Sequence, residues 1–225
     1  MSTTNIEWAT HVWNPVTGCN KVSPGCKNCY AEKMHKRLKG MKQPKYQLDF
    51  NQGAKSHYSE LERVKDFPAG SRVFVNSMSD LFHDNVSNTF IISVFETMLH
   101  YDARTYIILT KRADRMKFWF EWLQHENPHM YQQLTTAHHI WVGVSIENQE
   151  YANERVPHLL QIPMPVKILS CEPLLSSIDL IPWLNYLMPD TKDYAPPISW
   201  VIVGGESGTD ARPLHPDWVE NIFFQ

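Results

Sequence analysis

Three cysteines stand within eleven residues, Cys19, Cys26 and Cys29, in the pattern C-x6-C-x2-C. In a compartment that keeps thiols reduced, such spacing points to metal ligation or catalysis rather than to a disulfide framework. Gly18, Pro24 and Gly25 let the intervening chain fold back, and Cys26 and Cys29 can present two sulfurs to one centre. Two chemistries suit this donor set. A cubane of four irons needs one terminal ligand per iron, so three thiolates leave one iron open to an exchangeable molecule, and an open iron is a place for reaction. A zinc ion would take the same thiolates and close its tetrahedron with His11 or His35. Closed zinc sites usually show two paired-ligand halves, and only Cys26 and Cys29 form a short pair here. The ligand types alone leave both open. The fourth cysteine, Cys171, falls in the run Val166-Lys167-Ile168-Leu169-Ser170-Cys171, where a small buried thiol without a chemical role is expected.

The elements that must position these cysteines are legible as short apolar runs. Arg72 to Asn76, Thr105 to Leu109, Ile140 to Val144, Val166 to Leu169 and Trp200 to Val203 are each apolar on consecutive positions, the pattern of a strand buried on both faces. Their starts lie 33, 35, 26 and 34 residues apart, the spacing of strand-helix units. Helical periodicity is expected over Asn88 to His100, with Ser87 or Asn88 as cap, over Asp114 to Leu123, and over Asn148 to Leu160, ahead of Pro163 and Pro165. The stretch from Leu175 to Ile198 reads as one short helix and a loop. Repeated units of this kind give a doubly wound sheet or a closed or partly closed barrel. A further unit, Val12 to Val16, leads directly into Cys19.

Each strand runs straight into polar residues: Ser77, Ser79 and Asp80; Thr110, Lys111 and Arg112; Ser145, Glu147 and Asn148; Ser170 and Glu172; and Gly204, Gly205, Glu206 and Ser207. In parallel folds the C-terminal edge of the sheet gathers the ligand-binding loops, so these clusters and the cysteine loop are expected on one rim. Taken singly, each has a plainer explanation. A strand-end Ser or Asp often caps a helix, Gly204-Gly205 suits a turn, and Lys111 or Arg112 could form a surface ion pair with Glu147 or Asp114.

The strings Trp13-Asn14-Pro15-Val16-Thr17-Gly18-Cys19, Val22-Ser23-Pro24-Gly25-Cys26-Lys27-Asn28-Cys29-Tyr30-Ala31-Glu32, Asn76-Ser77-Met78-Ser79-Asp80-Leu81-Phe82, Leu109-Thr110-Lys111-Arg112, Gly143-Val144-Ser145-Ile146-Glu147-Asn148-Gln149, Ser170-Cys171-Glu172-Pro173-Leu174-Leu175 and Val203-Gly204-Gly205-Glu206-Ser207-Gly208 closely resemble an uncharacterised phage-associated family bearing a three-cysteine motif. That family is similar to compact radical S-adenosylmethionine enzymes. The resemblance implies an α/β chain with a partial (β/α)6 TIM-like barrel, the cluster loop at residues 17–30 and a basic insertion at about residues 31–70, in a single domain over residues 1–225. It implies that Cys19, Cys26 and Cys29 hold a 4Fe-4S cluster whose fourth iron is chelated by S-adenosylmethionine. An electron delivered by a donor would then release a 5′-deoxyadenosyl radical. By position, Tyr30 is placed near the adenine, Ser77, Ser79 and Asp80 near the amino group, Lys111 or Arg112 near the carboxylate, and Ser145 and Glu147 near the ribose. Glu172 and Glu206 are left for cofactor or substrate. Most such enzymes space their cysteines three and two apart, whereas six residues separate Cys19 from Cys26, so this loop must differ. The resemblance also implies a further helix and strand beyond Trp218, where seven residues remain, so the barrel is expected to be open or cut short on that side.

Charge and composition bear on partners. The formal net charge of -3 conceals a basic stretch from Asn20 to Lys65, with eleven Lys or Arg against four Asp or Glu. Lys33, Lys36, Arg37, Lys39 and Lys42 make a nucleic acid, nucleotide or phosphorylated substrate the leading expectation, against the plainer one of a solvated lysine-rich helix. No apolar run approaches the ~20 residues of a membrane span, and the first residues, MSTTNIEWATHVWNP, lack the pattern of a secretory signal; a cytoplasmic location is expected. The rival function is a zinc-stabilised nucleic-acid-binding module without turnover.

Overall fold

Six short runs pair in sequence order to make the scaffold. The computed structural model describes residues 4–184 and 198–225. Strand β1 (His11–Trp13) leads into an antiparallel pair, β2 (Val16–Thr17) with β3 (Lys55–Ser56), and the main sheet continues through β4 (Arg72–Val75), β5 (Thr105–Thr110), β6 (Ile140–Ser145), β7 (Val166–Cys171) and β8 (Ile198–Val203). The six-stranded sheet has the order β1-β4-β5-β6-β7-β8, and every neighbouring pair in it is parallel. One row of partners, Trp13, Val75, Ile108, Val142, Lys167 and Ile198, crosses the whole sheet, so the C-terminal ends of all six strands share one edge.

The strand side chains divide into two faces because successive residues point to opposite sides. Val73, Val75, Tyr106, Ile108, Ile140, Val142, Val144 and Leu169 belong to the large core that also takes the buried faces of α2 (Asn88–His100), α3 (Ala113–Glu126) and α5 (Gln149–Leu160). The alternate residues Ile107, Ile168 and Ile202 form a separate cluster with Leu109, Trp141, Trp200 and, from the N-terminal segment, Trp8. Helices thus cover one face, as a series of same-handed crossovers in monotonic strand order requires. Among the described residues, the opposite face carries this small apolar layer. That arrangement differs from a doubly wound sheet, which has helices on both sides.

The expected helices form where their periodicity lies. Phe90, Ile91, Val94, Phe95 and Met98 are the buried positions of α2, and Ser87 caps it by accepting from the Phe90 amide at 3.2 Å. Asn148 caps α5 through the Tyr151 amide at 3.1 Å. Helix α3 begins one residue earlier and ends three later than expected, because Ala113 and the polar residues after Leu123 extend the same register. A helix that periodicity did not suggest, α4 (Pro128–Leu134), follows it, started by Asn127 as cap and Pro128 at its first position. The short helix expected after Leu175 is α6 (Ile181–Leu184); the loop expected at 185–197 lies outside the described residues. The chain closes with α7 (Pro216–Phe223). No helix among the described residues is long and apolar enough to cross a membrane.

Strands β6 and β7 approach so closely at Gly143 that a Cβ there would stand 2.4 Å from the Ile168 carbonyl oxygen. Backbone cannot yield as a flexible side chain does, so Gly143→Ala is expected to cost about 1–3 kcal/mol, read as a lowered denaturant midpoint with an unchanged slope.

Candidate functional site

The loop from Gly18 to Cys29 has little regular structure, a single 3-10 turn at Pro24–Cys26, and depends on its surroundings for shape. It turns at Gly18, whose φ of +82° and close approach to the Gly53 carbonyl, 2.5 Å from where a Cβ would sit, leave room for glycine only. Helix α1 (Tyr30–Gly40) begins directly after Cys29. All four cysteines are free thiols; Cys19, Cys26 and Cys29 are partly exposed and Cys171 is buried. Cys171 sits in the large core, as expected of it.

The cysteine loop roofs a cavity of about 500 Å³ over the C-terminal ends of the strands. Its walls include all three cysteines of the loop together with Tyr30, Ser77, Ser79, Asp80, Lys111, Arg112, Ser145, Glu172 and Glu206. Nine of the ten residues assigned to a cofactor from the sequence therefore meet in one place. Glu147 is the exception and does not line it. Among the described residues, no three His, Cys, Asp or Glu side chains are grouped so as to hold a metal ion.

The polar residues divide into those that build the cavity and those left free within it. Asp80 is a builder: one oxygen accepts from the Phe82 amide at 3.0 Å and the Thr110 hydroxyl at 2.7 Å, the other from the Lys111 amide at 3.1 Å and Arg112 Nη1 at 3.0 Å. The Phe82 contact closes a turn within the loop after β4, and the other three tie the end of β5 to it. Arg112, itself buried, lies with Nη1 3.7 Å from Cys19 Sγ and donates from Nη2 to the Asn20 carbonyl at 3.2 Å. Burial pushes the Cys19 thiol up to about 11, with Asp80 adding to the rise and Arg112 opposing it. The Asp80 carboxylate expected at a cofactor amino group and the Arg112 guanidinium expected at its carboxylate are thus engaged with protein.

Glu147, fully buried, stands behind the cysteine loop. It accepts from the Gly25 amide at 3.1 Å and from Arg155 Nη1 at 3.0 Å, and Arg155 also reaches the Ser145 carbonyl at 2.7 Å. The ribose contact expected of Glu147 is replaced by this anchorage. Glu206 holds the loop from another side. It accepts from Asn28 Nδ2 at 2.8 Å and from the Arg212 amide and Nε at 2.9 and 3.0 Å, with a further contact from Arg212 Nη2, which also donates to the Pro24 carbonyl at 2.9 Å. The Arg212 hydrogen bonds hold the Glu206 carboxyl down to about 2, far below an ordinary glutamate. Ser77 and Ser79 donate their hydroxyl protons to Asn14 Oδ1 and to the Val16 carbonyl, at 3.2 and 2.8 Å.

What remains available is a smaller set. Glu172 accepts a long bond from Trp8 Nε1 at 3.3 Å, and burial raises its pKa against the opposing hydrogen bonds from Trp8 and Ser170 and the Lys111 charge. Lys111 and Ser145 also line the cavity. Trp8 and Phe74, edge to face at 4.7 Å, make the apolar wall with Leu109. The Tyr30 hydroxyl donates to the Ser77 carbonyl, and burial of that hydroxyl pushes its pKa up to about 12, while the residue as a whole is exposed. Sequence reasoning did not single out Asn76 or Trp8. Asn76 has φ +63°, a left-handed conformation that asparagine tolerates better than most residues. Its Oδ1 accepts from the Val16 amide at 3.1 Å, which fixes the amide orientation, and its buried Nδ2 has no partner among the described residues. Asn76 also lines the cavity.

The two histidines considered as zinc ligands are elsewhere. His35 donates from Nε2 to the Leu48 carbonyl, 2.8 Å away, with its ring edge-on to Tyr46 and Phe50. His11 bonds Thr10 Oγ1 at 3.0 Å at the far end of β1. Most cations of the basic stretch are engaged in ion pairs: Lys21 and Lys36 pair with Glu32, Lys33 with Asp210, Lys39 with Asp49, Lys45 and Arg63 with Glu60, and Lys65 with Glu62.

A family model described as a protein of unknown function, DUF5131, matches residues 3–225. The chain belongs to that family. No curated protein and no solved structure matches it.

Because the folded pKa of Glu206 lies below the ordinary 4.5, its clamp stabilises the fold fully above the unfolded value and loses that contribution as pH falls toward about 2. The stability difference between the wild type and Glu206→Gln, measured by denaturation, is expected to be constant from about pH 6 to 8 and to close as acid is added.

Proposed function

We propose that this chain is a radical S-adenosylmethionine enzyme, with its six-stranded sheet curved as a partial (β/α)6 barrel and a 4Fe-4S cluster on Cys19, Cys26 and Cys29. The observation that carries this reading is the meeting of the three cysteines, Tyr30 and eight strand-end residues in one cavity of about 500 Å³. Three free thiols suit a cubane, in which each binds a different iron, so they need not converge on a single point. A closed zinc site requires that convergence and a fourth ligand, and His11 and His35 are both bonded away from the cavity. The unpartnered amide of Asn76 also supports a ligand in the cavity, since buried donors are rarely left unpaired. The likeness to phage-associated three-cysteine proteins and a reducing cytoplasmic setting belong to the same reading.

When bound, the cluster and S-adenosylmethionine supply a 5′-deoxyadenosyl radical that takes a hydrogen atom from the substrate. The chain's own residues bind, orient and exclude. Lys111, with Arg112 already occupied, is the cation for the cofactor carboxylate. Glu172 receives the cationic amino group or a substrate N–H, which would offset the burial that raises its pKa. Ser145 offers a hydroxyl to the ribose. Trp8, Phe74 and Leu109 keep water from the reacting atoms. Arg112 acts on Cys19: hydrogen bonds to cluster sulfurs are among the levers that set a cluster's reduction potential.

Anaerobic protein, reduced and given S-adenosylmethionine, is expected to form 5′-deoxyadenosine, detected by chromatography. Cys26→Ala should abolish this and Cys171→Ala should retain it. Equal loss in both, or no product from an iron-loaded wild type, contradicts the assignment.

A further inference from the structure

Beside the mouth of the main cavity lies a second, shallower one of about 280 Å³, lined by Tyr30, Lys33, Met34, Arg37, Ser207 and Gly208. Four of these fall at i, i+3, i+4 and i+7 of α1 and so share one helix face. The other two come from the loop after β8. Tyr30 and Ser207 line both cavities, so the two adjoin across the exposed Tyr30 ring. Gly208, at φ +105°, brings its backbone close to α1, where a Cβ would stand 3.4 Å from Lys33 Nζ.

Charge decides what this place can hold. Seven of the eleven cations between Asn20 and Lys65 are paired with five nearby carboxylates. An extended nucleic acid needs a run of free cations along its backbone, and this surface does not offer one. At the second cavity, Lys33 is shared with Asp210 at 2.9 Å, whereas Arg37 is exposed and has no ion pair among the described residues. One full positive charge with a forked donor remains, next to a half-shared ammonium and the Ser207 hydroxyl. That is the provision for one phosphate, not for a strand.

We propose that the second cavity binds a single phosphate group of a small substrate, with Arg37 as its principal donor, and that the rest of the substrate lies over the Tyr30 ring and enters the main cavity. The proposal rests on the reading of the main cavity as the reaction chamber and narrows its substrate from nucleic acid to a small phosphorylated molecule, a nucleotide being the probe of choice.

Calorimetric titration of the purified protein with cytidine 5′-monophosphate, cytidine, inorganic phosphate and a twelve-nucleotide single-stranded DNA tests this. The nucleotide should bind, inorganic phosphate should compete with it, and cytidine should bind at least about tenfold more weakly. Arg37→Ala should weaken nucleotide binding by about tenfold, the scale of one charge-assisted hydrogen bond, and Arg37→Lys should recover part of it. Circular dichroism confirms that these surface variants fold. A plot of log affinity against log salt should have a slope below about 1 in magnitude for every ligand, because one phosphate is engaged. Unchanged binding in Arg37→Ala overturns the proposal, as does failure of both phosphate and nucleotide to bind. Tighter binding of the oligonucleotide with a slope of about 3 or more overturns it in favour of an extended strand. The assay uses neither reductant nor S-adenosylmethionine. Failure here with 5′-deoxyadenosine formed removes the phosphate site alone, and the reverse removes the radical reaction alone.

Discussion

The site depends on the Asp80 carboxylate and the arginine it holds. Asp80 sits where β4 ends and gathers the Phe82 amide, the Thr110 hydroxyl, the Lys111 amide and the Arg112 guanidinium. Arg112 extends that network to the first cysteine of the loop. Removing one member of such a buried pair leaves the other charge without a partner, at a cost of roughly 3–5 kcal/mol. A pair like this adds little net stability over apolar packing. What it contributes here is position: a cation beside the Cys19 sulfur, partly opposing the rise that burial imposes on that thiol.

Two further arginine-carboxylate pairs repeat the arrangement from other strand ends. Glu147 with Arg155 grips the loop at Gly25, and Glu206 with Arg212 grips it at Asn28 and Pro24. A loop with one 3-10 turn has few contacts of its own to hold three sulfurs over a cavity. The carboxylates supply them from β4, β6 and β8, so sheet geometry is passed directly to the cysteines. Local side-chain anchoring of this kind keeps a binding loop from adopting alternatives that would scatter its ligands.

The sheet was legible because buried parallel strands are apolar on consecutive residues and end in polar ones; β4 to β8 begin within two residues of where their runs suggest. The gathering of those polar ends at one cavity followed from parallel topology alone. What each polar residue does there was not legible. Asp80, Glu147, Glu206 and Arg112 are of the right type and in the right place for a cofactor, but their lone pairs and N–H groups are taken by partners distant in the chain, such as Gly25 for Glu147, 122 residues away. The same blindness affects charge. Lys33 reads as part of a basic patch until Asp210, 177 residues on, is found beside it. Trp8 lies in a segment without periodicity, and its place against Phe74 and Glu172 has no signature in sequence.

The most direct test of the central claim is metal analysis with electron paramagnetic resonance on protein purified without oxygen. The account predicts brown protein carrying about four irons and four sulfides per chain, with a cluster signal on reduction that bleaches in air and is absent from Cys19→Ala. Colourless protein holding one zinc per chain, or no metal that follows the three cysteines, contradicts it.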